Sequence, residues 1–391
     1  LVEYDLKDDV VSNMKNWTDQ TLIDRSDALA HHLAHPEISL EAHVRRKMLA
    51  LADRHRSRRK IYLDTNFWVK LREASAGNGP QAGIDLLAAL VKGVEAGAWI
   101  CPLSESAFIE LFRQADLSTR RATAGLMDRL SLGLCLLEQN MLMGTEIGHL
   151  FREKSGFDVH ELDQLVWCKI AFALGYRHPQ NDMIPPETML ALQKGVFDEM
   201  WEAPLVDIVD QVADHSVLDE TNLEMIAAHL NRENVEHAHL IKSFRQAYRA
   251  EAAGVASLFG TVIVEAFEQM DKLSGVIPSA AQYSLDDTIK NKALHLVSLA
   301  LEREAARDTL RSLHIMASLH ASLRWDKQRK VDAHDLLDFN HAAAAIAYCD
   351  VFLTEKPLRT MIEQRHLALS ERYQCKVRSS LTDALNLICS M

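Results

Sequence analysis

Apolar residues recur at helical spacing through residues 20–57, in LIDRSDALAHHLA and again in VRRKMLALADRH, with Pro36 between them. This spacing predicts two N-terminal helices. From Lys60 the pattern changes to a short apolar run, IYLD, ending on a carboxylate, followed by TNFWVKLREA and a GNGP turn. That succession reads as strand, helix and loop. IDLLAALVKGVEAG is helical again, WICPL is a second short strand, and Ser104 stands where it caps the following helix, SESAFIELFRQA. Strands alternating with helices predict a parallel sheet. Between Leu117 and about Lys330 nearly every segment scans as helix, with breaks at Gly156, HPQNDMIPP and SGVIPS, and no strand is expected. Alternation then resumes: a helix through DLLDFNHAAAAIAY, a strand in DVFLT, a helix near LRTMIEQ, a strand in YQCKVRS and a closing helix, LTDALNLI. The expected organisation is a helical arm (1–57), an α/β domain in two parts (58–116 and 331–391), and an all-helical insertion (117–330) between them.

The 391 residues leave room for two or three domains, and 48% hydrophobic with 25% charged residues excludes a disordered or fibrous chain. The uncharged stretch Ala252–Val264 is too short to span a bilayer, so it is expected to be a buried helix and no membrane span is expected. The opening LVEYDLKDDVVSN lacks the pattern of a secretory signal, which points to the cytoplasm. The six cysteines form no CxxC pair, as suits buried thiols rather than a zinc site or a disulfide frame.

A net charge of −12 argues against a chain that binds polyanions over its whole surface. The distribution is uneven. Residues 151–330 carry −8, whereas Arg45–Lys60 holds eight basic residues against Asp53. Within that segment Arg54, Arg56, Arg58, Arg59 and Lys60 run directly into the strand that delivers Asp64, and are candidates to hold an RNA backbone; a solvated surface is the plainer reading.

Carboxylates at strand ends supply the candidate chemistry. Asp64 falls at the C-terminal end of a parallel strand, the edge where open α/β sheets bind ligands, although it can equally cap the next helix. Glu105 and Glu110 lie five positions apart on one helix and cannot face the same way. Glu110, among apolar residues, is the better site candidate, while Glu105 suits a cap or dipole role. Asp335, Asp338 and His341 share a helix face, and Asp350 and Glu355 bracket the strand that follows. Converging carboxylates without Cys ligands favour Mg²⁺ or Mn²⁺, and phosphodiester hydrolysis is the matching chemistry.

YLDTNFW, the Glu-Leu of SESAFIELFR, the Asp of LLDFNHAAAAIAYCDVFLTEK and the final KVRSSLTDALNLI resemble the successive motifs of PIN-domain nucleases. The resemblance covers residues 58 to about 115 and 332–391. It implies a three-layer α/β/α core with a central parallel sheet and an acidic Mg²⁺ or Mn²⁺ pocket that cleaves RNA, with Asp64, Glu110 and Asp338 as its first three acids. Family members carry an Asp two residues after the strand's Thr. Here that position is Lys356, with Glu355 one residue earlier. Glu355 is the first choice for the fourth acid, then Asp335, then Asp350, and Asn66 and His341 are candidates to orient substrate or ligands. A metal-dependent endoribonuclease is therefore expected. The alternatives are a catalytically silent scaffold whose helical insertion binds a protein partner, and a DNA nuclease using the same residues. A homodimer is compatible with the family.

Three weaker signals remain. Arg232 and His237 match the Arg-x4-His spacing of the HEPN ribonucleases, but Glu233 stands where that class carries Asn, Asp or His. His31, His32 and His35 are grouped without a carboxylate at HExxH spacing and read as a surface helix. Trp68, Trp99, Trp167, Trp201 and Trp325 read as core or interface residues.

Overall fold

The computed structural model describes residues 27–175, 178–212, 220–273 and 287–391, and the molecule is a mostly helical α/β protein. A helix over 27–33 precedes α1 (Leu40–His55), whose first turn is capped by the Ser39 hydroxyl accepting the Ala42 amide at 3.1 Å. Next come β1 (Arg59–Leu63), α2 (Thr65–Ser75), α3 (Gln81–Glu95), β2 (Trp99–Ile100) and α4 (Glu105–Phe112). The N-cap of α4 is Ser104, as its position in the sequence suggests. Far along the chain follow α5 (Pro186–Trp201) and α6 (Ala333–Tyr348).

The two distant α/β stretches share one sheet. With β5 (Val351–Leu353) and β6 (Lys376–Arg378), the first two strands form a four-stranded parallel sheet in the order β2-β1-β5-β6. Ile61, Tyr62 and Leu63 pair with Val351, Phe352 and Leu353, and all six are fully buried. Central parallel strands covered on both faces are continuously apolar, which explains why they lack an alternating pattern. Helices α7 (Lys356–Ile362) and α8 (Leu381–Cys389) complete this end of the chain, and α3 packs on α2 and α8. One close approach is built around Gly93: a Cβ there would lie 1.8 Å from Cε2 of the Trp99 indole, whose Nε1–H donates to the Leu90 carbonyl at 3.0 Å. In α6 the run Ala342–Ala347 is buried, and its small side chains let the helix lie against β5, α4 and the helix Arg311–Trp325.

Two expectations for the middle of the chain need correction. Residues 117–330 are not all helical: β3 (Leu134–Leu136) pairs antiparallel with β4 (Trp167–Lys169), and a bridge from Cys135 to Leu103 joins β3 to the segment after β2. Strands of three residues are shorter than one helical turn, so periodicity cannot distinguish them from helix. The stretch Ala252–Val264 is not one helix either, because Phe244–Leu258 ends and a new helix begins at Gly260 with a bend of 71°. Among the described residues no single helix is long and apolar enough to cross a membrane. The six cysteines are free thiols, all buried except Cys389.

Candidate functional site

Because β1 and β5 are parallel and adjacent, the residues that follow them emerge at the same edge. Asp64 follows β1 directly, and Thr354 and Glu355 follow β5. Asp64 is 4% exposed and also caps α2, its Oδ1 accepting the Phe67 amide at 3.0 Å. Capping and ligand roles are therefore not exclusive: the helix N-terminus fixes Oδ1 and leaves Oδ2 outside the cap. Glu355 is exposed at the start of α7, where its carboxylate accepts Nδ2–H of Asn66. Glu110 comes from α4, and Asp338 and His341 from one face of α6.

A hydrogen-bonded chain holds these groups from beneath. His341, 1% exposed, contacts Glu110 Oε2 through Nε2 at 2.8 Å and the Tyr62 hydroxyl through Nδ1 at 2.6 Å. Tyr62 in turn contacts the Ser104 hydroxyl. Thr65 donates its hydroxyl proton to Glu110. One imidazole thus links β1, α4 and α6.

Electrostatics divide Asp64, Asp338 and Glu110. Burial raises Asp64 to about 6, against the Phe67 amide, the Thr354 hydroxyl and His341, which favour its ionised form; Glu355 adds repulsion. Burial also raises Asp338 to about 7, with His341 opposing and Asp64, Glu110 and Glu355 reinforcing the rise. Glu110 moves the other way: burial would raise it, but the hydrogen bond and charge of His341, with Thr65 and Arg113, hold it below the ordinary carboxylate range. His341 is correspondingly raised, the Glu110 contact outweighing burial. The result is a group of mutually repelling carboxyls with one imidazole among them, composed of oxygen donors suited to a hard divalent cation.

The other predicted site residues lie elsewhere. Asp335 is a correction: it forms a reciprocal capping box with Asp332 at the start of α6 and is bound by Arg329 Nη2 at 2.6 Å, so its oxygens are engaged one helical turn from the pocket. Asp350 is a second correction, since it precedes β5 and accepts the Lys60 amide at 2.7 Å, at the opposite edge of the sheet. The basic segment is a third. Arg59, which opens β1, stands about 16 Å from Asp64 at about 3.3 Å per strand residue, with Arg54, Arg56 and Arg58 before the strand and Lys60 one residue into it. Arg56 pairs with Glu161, and Arg58 donates to the Val94 carbonyl. Glu105 accepts the Gln139 amide at 3.4 Å, away from Glu110.

Arg232 and His237 lie around the end of the helix Glu220–Glu236, where His237 faces Glu233 at 3.5 Å. Trp68, Trp167 and Trp201 are buried, Trp99 is half-buried, and Trp325 is exposed. The expected surface location of the N-terminal histidines holds for His31 but fails for His32, which is buried against Asp198 on α5. Sequence reasoning also passed over Thr65, Tyr62, Ser104, His43 and Asp198. Thr65 adjoins Asp64 and Ser104 was marked only as a helix cap, while nothing local marks Tyr62, His43 or Asp198, because their partners are distant in the chain. Comparison of the chain with protein families, curated proteins and solved structures finds no match to any of them.

Proposed function

We propose that the chain is a PIN-like, divalent-cation-dependent nuclease that hydrolyses RNA phosphodiester bonds at the pocket of Asp64, Glu110, Asp338 and Glu355. The observation that carries this reading is the gathering of these carboxylates at the C-terminal edge of a parallel sheet, where burial and the charge of Glu355 raise Asp64 to about 6, and burial and the charges of Asp64, Glu110 and Glu355 raise Asp338 to about 7. A donor set of carboxylate oxygens suits Mg²⁺ or Mn²⁺. Such an ion supplies Lewis-acid charge at a phosphodiester and acidifies water.

The chain's own groups have separate tasks. Asp64 offers a buried carboxylate and Asp338 a half-buried one, Glu355 closes the exposed side with Asn66 holding it, and Glu110 is anchored by Thr65 and His341. The His341 imidazole fixes the Glu110 carboxylate through Nε2, so that the pocket is not free to collapse or splay. Lys356, exposed beside Glu355, takes over the contact with a phosphate oxygen for which the basic segment before β1 is misplaced.

The test is cleavage of single-stranded RNA and DNA with Mg²⁺ or Mn²⁺, with and without chelator. Asp64→Asn and Asp338→Asn should each lower RNA cleavage by about 10²–10³-fold, the loss seen when a preorganised charge-stabilising group is removed. Undiminished cleavage by both variants, or in excess chelator, overturns the reading. Lys356 also favours a second reading, a catalytically silent scaffold. An inactive wild type that Lys356→Asp renders active supports it, and preferential cutting of DNA identifies the third.

A further inference from the structure

Where the helix over 27–33 and α1 meet α5, two imidazoles and a carboxylate that take no part in the acidic pocket converge. His32 comes from the helix over 27–33, His43 from α1 and Asp198 from α5. His32 Nε2 lies 3.0 Å from Asp198 Oδ2, and His43 Nε2 lies 2.8 Å from Oδ1. The rings meet edge to face at 5.0 Å, and the three donor atoms fit within 4.8 Å of one another. Both histidines are nearly inaccessible, at 5% and 2%, whereas the Asp198 side chain is 25% exposed, leaving one approach open to solvent.

We infer that His32, His43 and Asp198 form a zinc-type site that staples the N-terminal helices to α5. In a tetrahedral site with bonds of about 2.0–2.1 Å the donors stand about 3.3 Å apart; each His–Asp contact is a few tenths of an ångström shorter, and the three donor atoms lie within 4.8 Å of one another. Two imidazole nitrogens with one carboxylate suit a borderline cation such as Zn²⁺ and are a poor set for Mg²⁺, so this centre and the acidic pocket select different ions. With three protein donors and an open side, the fourth position falls to water.

The frame around the donors is built in advance. The Lys194 ammonium, 1% exposed, reaches the carbonyls of His35 at 2.9 Å and Ile38 at 3.2 Å, folding back the turn that carries His32 towards His43. Phe197, next to Asp198, packs its ring against His43 at 5.8 Å. Two cations hold the place of the ion. Lys47 Nζ lies 3.1 Å from Asp198 Oδ1, and Arg46 Nη2 lies 3.1 Å from His43 Nδ1. Arg46 donating to Nδ1 directs the His43 proton to Nε2. Ligation requires the other tautomer, so Arg46, which is exposed, swings away as the ion enters.

The experiment is calorimetric titration of the chelator-treated full chain with Zn²⁺ alone, in an Asp64→Asn/Asp338→Asn background, so that neither the acidic pocket nor its proposed activity affects the result. We expect one Zn²⁺ per chain with a dissociation constant at or below about 1 μM. Asp198→Asn and His43→Asn should each weaken it by more than about 100-fold, beyond the loss typical of an outer partner. Lys47→Met should tighten it by about tenfold by removing the ammonium that competes for Asp198 Oδ1. If His43→Asn fails to fold, Asp198→Asn and Lys47→Met still decide the matter. Absence of binding at that strength, or binding indifferent to Asp198→Asn, overturns the site.

Discussion

Tyr62→Phe tests the hydrogen-bonded chain beneath the acidic pocket with the removal of a single oxygen. That oxygen lies 2.6 Å from His341 Nδ1 and also contacts the Ser104 hydroxyl, and both partners are buried. Ser104 retains the Ala107 amide at 3.4 Å, so the group left stranded is His341 Nδ1. A buried polar atom without a partner costs about 1–3 kcal/mol, and the ring itself still fills its space. Denaturant unfolding should therefore show a loss of about 1–3 kcal/mol with an unchanged slope. In a His341→Leu background the same change should cost much less, with a coupling energy of about 0.5–3 kcal/mol between the two positions. A variant within about 0.3 kcal/mol of wild type, or strict additivity with His341→Leu, would mean that the hydroxyl does not hold the imidazole. The positioning role given to His341 would then fail as well.

Two further expectations concern stability away from the pocket. Burial raises the fully buried Glu146 to about 7, although the Tyr348 hydroxyl and the Ser312 amide favour its ionised form. A folded-state value above the unfolded one means that its contribution is complete below about pH 4.3 and is lost as pH rises through about 7. Going from 4.5 to about 7, at about 1.36 kcal/mol per decade of proton affinity, the loss is on the order of 3 kcal/mol. Glu146→Gln should flatten the stability profile between pH 5 and pH 8 by about that amount, and an unchanged profile in urea unfolding refutes the assignment. Gly93→Ala should destabilise by at least about 1–3 kcal/mol and shift tryptophan fluorescence, because the added carbon meets the rigid Trp99 ring; equal stability would contradict so close an approach.

Where the chemistry was local, the sequence could be read. IYLD ends on Asp64 because a central parallel strand is apolar throughout, and the break to polar residues marks its end. That the two ends of the chain build one α/β domain followed from their alternating elements, while the pairing of β1 with β5 came only with the structure. Asp335 and Asp338, three residues apart, looked equivalent by helical spacing, yet one is consumed by the N-terminal amides of α6 and the other faces Asp64. Spacing along a helix records which face a residue occupies, not which turn reaches the neighbouring strand. The basic segment misled for a related reason. Closeness in sequence to Asp64 became a separation of a full strand once Arg59–Leu63 was extended. Tyr62, His43 and Asp198 were invisible because their partners are 42 to 279 residues distant.

The junction of β1 with β5 also governs how the chain is made. Lys60 and Asp350 are 290 residues apart, yet they are bonded neighbours. At about 5–20 residues per second, a ribosome needs about 15–60 s to deliver the second after the first. For that interval Ile61, Tyr62 and Leu63 have no partner on one side, a bare apolar ribbon of the kind that recruits other nascent chains. Until the last strands are translated, the cell must shelter that ribbon with a chaperone or with the chain's own intervening helices. Truncation anywhere before residue 351 would yield a sticky fragment rather than a smaller working protein.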